Sequence, residues 1–221
     1  MYTGGRTFQG LFLLVCLCAY PWLDFGEILD RIAVTVDKQV ITLGDIVREL
    51  RVDAFLDRKP VDLSAAAKRK AAERLVDQIL ILREAADSHL TLALPEDAAG
   101  MVAQAKSQFA TDQQYRSALA EYRITEADLS QHLLDGLRAL RFTDLRFRPQ
   151  IQLSEADLRE YYETLATKWL AAQRPQIPSF EQSRSQIETL LTEDRVTKAL
   201  DTWLEMQRAT RQIQFREAAF Q

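Results

Sequence analysis

His132 stands one helical turn after Asp128 and three residues before Asp135 in the stretch DLSQHLLD, so a helix through it puts all three on one face. An imidazole and two carboxylates are donors of the kind that hold a divalent metal. The same spacing is also that of ordinary i,i+3 and i,i+4 charge pairs on a solvated helix, and this simpler account is preferred. No metal site is expected. His89, the other histidine, closes a helical stretch beside Asp87 and Ser88, where a cationic side chain suits the negative helix end. The carboxylate pairs Glu126/Asp128 and Glu155/Asp157 stand at helix starts and are explained by capping. The only cysteines, Cys16 and Cys18, lie in an apolar N-terminal run. The sequence has no GxxxxGK[ST], GxGxxG, HExxH or GxSxG motif. Catalytic residues, cofactors and metal are all expected to be none, and the chain is not expected to be an enzyme.

The elements that would position these residues are announced by their own ends. Thr42-Leu-Gly-Asp45 joins a capping residue to an acid three positions on, with Ile41 and Ile46 placed to pack across the join. Thr125-Glu-Ala-Asp128 repeats the pattern, and Ser154-Glu-Ala-Asp157 repeats it again. Three helix starts follow. Alternating apolar residues in Arg31–Val36 and Gln39–Thr42, either side of Asp37-Lys38, predict a β-hairpin.

The first helix is predicted from Leu43 to Asp57, ending before Pro60. Ser64 opens a second through Ala86, with Leu75, Ile79, Leu82 and Ala86 as one stripe, widened by Val76 and Leu80. Pro95 starts a third that reaches about Phe109. A short helix covers about 113–122, and a long one runs from Glu126 to about Phe147 with Leu129, Leu133, Leu137 and Leu140 inward. A further helix spans Glu155 to about Ala172. A Pro-punctuated linker, Gln173–Pro178, separates it from the last, about Phe180 to Arg208. Gln212–Arg216 alternates and reads as a strand whose natural partner is the N-terminal hairpin.

Composition agrees with a mainly α fold. Hydrophobic residues make up 47% of the chain, enough for a real core, and seven Gly and six Pro are few for an all-β protein. A net charge of −4 favours neither nucleic acid nor a polybasic membrane contact. Arg6 precedes the apolar run Leu11–Leu23, the pattern of a secretory signal peptide. As a helix that run would reach about 20 Å, short of the roughly 30 Å hydrocarbon core. Residues 1–24 are therefore expected to be a signal peptide or short anchor, with 25–221 as the exported domain. Membrane contact would come only through an uncleaved N-terminus.

Several of these segments, in this order, resemble the SurA-like periplasmic chaperones and their parvulin-type prolyl isomerase relatives. They are Ile28–Asp45 with its hairpin, Arg74–Ala85, Tyr122–Leu129, Ile151–Tyr162 and the final helix with its strand. At the Tyr122–Leu129 joint the relatives' Gly is replaced by Arg123. The resemblance implies a multi-helix chaperone module built from N-terminal (about 28–172) and C-terminal (about 180–216) parts, joined through a small β-sheet. In the relatives an isomerase domain lies between those parts. Here only the stretch from Glu163 to Phe180 lies there, far short of a domain of about 100 residues. Prolyl isomerase activity is accordingly expected to be absent. The implied function is ATP-independent holding of unfolded polypeptides in the periplasm, outer-membrane proteins in transit among them. A scaffold for one dedicated folded partner is the alternative. The aromatic residues Phe109, Tyr115, Phe142, Phe147, Tyr161, Tyr162 and Trp169 are the expected client contacts, with Trp169 the most exposed.

Overall fold

A computed structural model describes Met1 and residues 30–172 and 178–221. The expected leader over residues 1–24 and most of the 173–178 linker lie outside the described residues. The chain is mainly α, with a small antiparallel sheet that joins its N- and C-terminal parts.

Strands β1 (Ile32–Val36) and β2 (Gln39–Thr42) form the predicted hairpin. Its turn has no glycine, and Asp37 takes the left-handed conformation with φ of 52°. What holds Asp37 there comes from the far end of the chain. Its N–H donates to the Gln212 carbonyl at 2.8 Å, and its carboxylate accepts the Gln212 N–H at 3.0 Å. That backbone bond, with Arg83 beside it, keeps the Asp37 carboxyl below the usual carboxylate range. Strand β3 (Ile213–Phe215) continues from this clasp and pairs with β1, so the sheet order is β2-β1-β3. A register shift between Ile32 and Val34 lets Ala33 be buried together with Val34 and Val36. Both sheet edges are short, and the Thr42 N–H that would extend the β2 edge is already given to Asp45.

Seven helices follow among the described residues: α1 (Leu43–Asp57), α2 (Ala65–Asp87), α3 (Pro95–Ser107), α4 (Asp112–Tyr122), α5 (Glu126–Phe147), α6 (Glu155–Ala171) and α7 (Phe180–Thr210). All three predicted capping boxes are formed, at Thr42/Asp45, Thr125/Asp128 and Ser154/Asp157. Ser179/Gln182 makes a fourth, at the start of α7. Between α4 and α5 the chain turns through Arg123 in the left-handed region, φ 54°, a conformation that costs a residue with a Cβ about 1–2 kcal/mol.

The principal core gathers the sheet, α2, the second half of α5 and the second half of α7. Phe142, Phe147 and Trp203 pack there with ring centroids 5.4–6.3 Å apart. The chain beyond β3 adds Ala219 and Phe220, both buried, although no periodicity announces them. A second cluster joins α1, α4 and the start of α5 around Val52, Phe55, Tyr115, Leu119, Ile124 and Leu129. Leu158, Ile187 and Leu191 form a third between α6 and the first half of α7. We call this two-helix element the arm, and the rest the body.

Helix positions were legible, but helix faces less so. On α2 the buried stripe is Ala72, Val76 and Leu80, with Ala71, Ile81 and Ala85 beside it. The expected stripe of Leu75, Ile79 and Leu82 is only partly buried, and Ala86 is exposed. On α5 Leu140 is 58% exposed, because the core takes Leu134 and Phe142 instead.

Candidate functional site

The displaced α2 stripe marks the site. Leu75, Ile79 and Leu82, with Val40 of β2, form the apolar wall of an open groove of about 490 Å³ between α2, α1 and α5. Val40 is 47% exposed, whereas its neighbour Ile41 points into the core at 3%. Ala71, Ala72, Val76, Leu80 and Ile81 of α2 sit in the core, and Leu75, Ile79 and Leu82 border the opening. Arg48 crosses the opening from α1 to α5, bonded to Asp45 at 3.0 Å and to Asp128 at 3.2 Å.

The groove's polar side contains His132, and its partner is not the one the sequence suggested. Asp128 is turned to its cap and to Arg48, and Asp135 bonds Gln131 at 2.7 Å and Arg138 at 3.2 Å. The His132 ring instead faces α1, 83 residues earlier in the chain. Its Nδ1 lies 3.0 Å from Glu49 Oε2 and donates to that carboxylate. Its Nε2 lies 3.8 Å from Asp53 Oδ1. Arg74 of α2 approaches the opposite sides of both acids, bonding Asp53 and reaching Glu49 at 4.0 Å. Sequence spacing on α5 could not reveal this pairing. The available signal was the i,i+4 pair Glu49/Asp53 on a helix face that also carries Val52.

Burial opposes charge on His132, but the bond to Glu49 and the field of Glu49 and Asp53 outweigh it, so the imidazole pKa is raised above its ordinary 6.5. Burial likewise raises Asp53, against the pull of Arg74. Among the described residues Glu49, Asp53 and His132 are the one histidine–carboxylate group whose ligand atoms lie within 4.8 Å of one another. Their arrangement is that of an ion network. The two ring nitrogens address different carboxylates, where a metal needs one nitrogen and both acids converging on a point, and the Arg74 guanidinium supplies the positive charge.

The expected client aromatics divide by region. Tyr115, Phe142 and Phe147 are core residues and not client contacts, since at 1%, 0% and 7% exposure a client cannot reach them. Burial and the nearby Glu126 push the Tyr115 hydroxyl up to about 12. Phe109 is half-buried, stacked on Phe55 with centroids 5.8 Å apart at the edge of the second cluster. Tyr161, Tyr162 and Trp169 are half-buried on the arm. Tyr162 meets Trp169 and Phe180 edge to face, and its hydroxyl donates to the Pro178 carbonyl at 2.9 Å. Trp169 is less open than expected because of that contact; Leu170 beside it is 66% exposed.

No family of known proteins matches this sequence, and no curated protein matches it. No helix among the described residues is long and apolar enough to cross a membrane.

Proposed function

We propose that this chain is an ATP-independent periplasmic chaperone that holds extended, non-native polypeptide in the α1–α2–α5 groove, without prolyl isomerase chemistry. Outer-membrane proteins in transit are the intended clients. One observation carries the reading: a well-packed body leaves Val40 exposed and the row Leu75, Ile79 and Leu82 half-buried on the wall of a concave opening. Apolar side chains on the wall of an open groove, with polar groups opposite, are a setting in which a segment of another chain can dock. Groove binding needs no nucleotide, because reversible capture protects a client by mass action alone. The arm, with Tyr161, Tyr162 and Trp169 half-exposed, offers a second apolar contact. The order of motifs that resembles the SurA-like chaperones points the same way.

The test is suppression of light scattering by a diluted, unfolded porin. The purified protein should suppress it near equimolar ratio. Ile79→Asp should abolish most of the suppression while leaving the circular dichroism unchanged, and Trp169→Ala should weaken it only in part. A protein with no effect on the porin, or an Ile79→Asp variant as good as the parent, would remove the groove reading. Capture of one folded partner alone would favour the scaffold instead.

A further inference from the structure

We infer that His132 is a proton-operated latch between α1 and α5, set into the wall of the groove. The bearing on client grip rests on the reading above; the latch itself does not.

The geometry is specific. Each ring nitrogen faces its own α1 carboxylate, Nδ1 on Glu49 and Nε2 toward Asp53, which are one helical turn apart. With one proton the ring satisfies Glu49 through Nδ1–H and leaves Nε2 as a lone pair aimed at a second acid. A second proton on Nε2 turns that contact into an attraction, and the imidazolium then joins α5 to two points on α1. The side chains of His132 and Glu49 are 22% and 17% exposed, so solvent screens the pair less than a surface ion pair.

The surrounding charges do not cancel the effect. From α1 the ring faces Glu49 and Asp53, with Asp45 and Arg48 nearer the opening. From α2 it meets Arg74, whose nitrogen is turned to the far oxygens of the same two acids. On its own helix Asp128 is tied to Thr125 and Arg48, and Asp135 to Gln131 and Arg138. Two acids therefore face the imidazole directly, and the one guanidinium near them stands on their other side.

The sign follows from the raised histidine. A group whose folded pKa exceeds its unfolded value stabilises the fold fully below the unfolded value, about 6.5, and loses that contribution as pH rises through the folded one. Deep acid ends the effect as well, because Asp53, itself raised, takes up its own proton. The latch is thus engaged in mildly acidic solution and released in alkaline solution, where the contact of His132 with α1 falls to one hydrogen bond while Arg48–Asp128 still spans the same two helices.

Nuclear magnetic resonance titration of the imidazole protons, with no client present, tests this. His89→Gln leaves one histidine signal, and that signal should titrate above 6.5. Glu49→Gln, which keeps an acceptor for Nδ1–H, should drop the midpoint below 6.5, and Asp53→Asn should lower it by less. The melting temperature should fall from about pH 6 to about pH 8 by more in the parent than in His132→Gln. A midpoint at or below 6.5, or one unmoved by both charge removals, would overturn the latch. So would saturable broadening of the ring signal by zinc ion alone, which would mean a metal centre instead. Should Glu49→Gln fail to fold, Asp53→Asn carries the same decision. A normal titration with failed porin protection would sink the groove reading and leave the latch standing.

Discussion

Around the three-stranded sheet, Val34, Val36, Phe142 and Trp203 are exposed by 5% or less, whereas along the 17 residues of α6 only Leu158 is buried. The two regions are nevertheless started by the same device, a Ser or Thr cap reciprocated by Asp three positions on. Capping fixes where a helix begins, and it says nothing of how much the helix will bury. The body has a sheet, five helices and the second half of α7 to cover one another. In the arm α6 packs chiefly on α7, with Arg159 and Arg184 over the Phe180 ring standing in for a third layer. The difference separates a part kept for stability from a part with apolar surface to spare.

Three changes would sharpen or break that contrast. The largest effect is expected from Phe142→Ala, which removes a ring at 0% exposure between Phe147 and Trp203. It should cost about 3–5 kcal/mol and shift the denaturant midpoint of the whole molecule. A loss confined to part of the chain would show that the body is not one cooperative unit.

In the arm, Ser154→Ala should cost about 1 kcal/mol and act locally, seen as faster hydrogen exchange in α6 and the first half of α7. The same site gives the arm an acid limit. The Ser154 side chain and backbone N–H, with Arg195, hold the Asp157 carboxyl at about 2. A depressed acid contributes stability above its unfolded value, near 3.8, and loses it as pH falls toward about 2. Arm amides should therefore lose protection through that window before those of β1 do. Simultaneous loss would mean that the arm has no independent stability.

The smallest effect is a gain. Arg123 holds a left-handed conformation at the α4–α5 joint, so Arg123→Gly should raise stability by about 1 kcal/mol or less, read as a higher melting temperature. No gain would mean that the Arg123 side chain contributes a contact worth as much as the backbone strain.

What could be read in advance follows the range of the interactions. Thr42, Thr125 and Ser154 act on residues three positions away, and the helices they start were found. The hairpin and its C-terminal partner were legible from alternation, even without a glycine at Asp37. Which side of α2 would face inward depended on the sheet fitting closely over Ala71, Ala72 and Val76, and no local pattern expresses that. Leu75, Ile79 and Leu82 were accordingly assigned to the core when they border the opening. The same limit explains the aromatics, since Phe142 and Tyr161 look alike until the number of layers around each is known. It also explains His132, which was matched to its neighbours on α5 when its partner was on α1.

The clasp between Asp37 and Gln212 joins positions 175 residues apart. Closing so long a loop is entropically expensive and slow, yet lengthening it further changes little, since each doubling adds only about 0.6 kcal/mol. Chain added to or removed from within that loop therefore changes the entropy of closing the sheet by little.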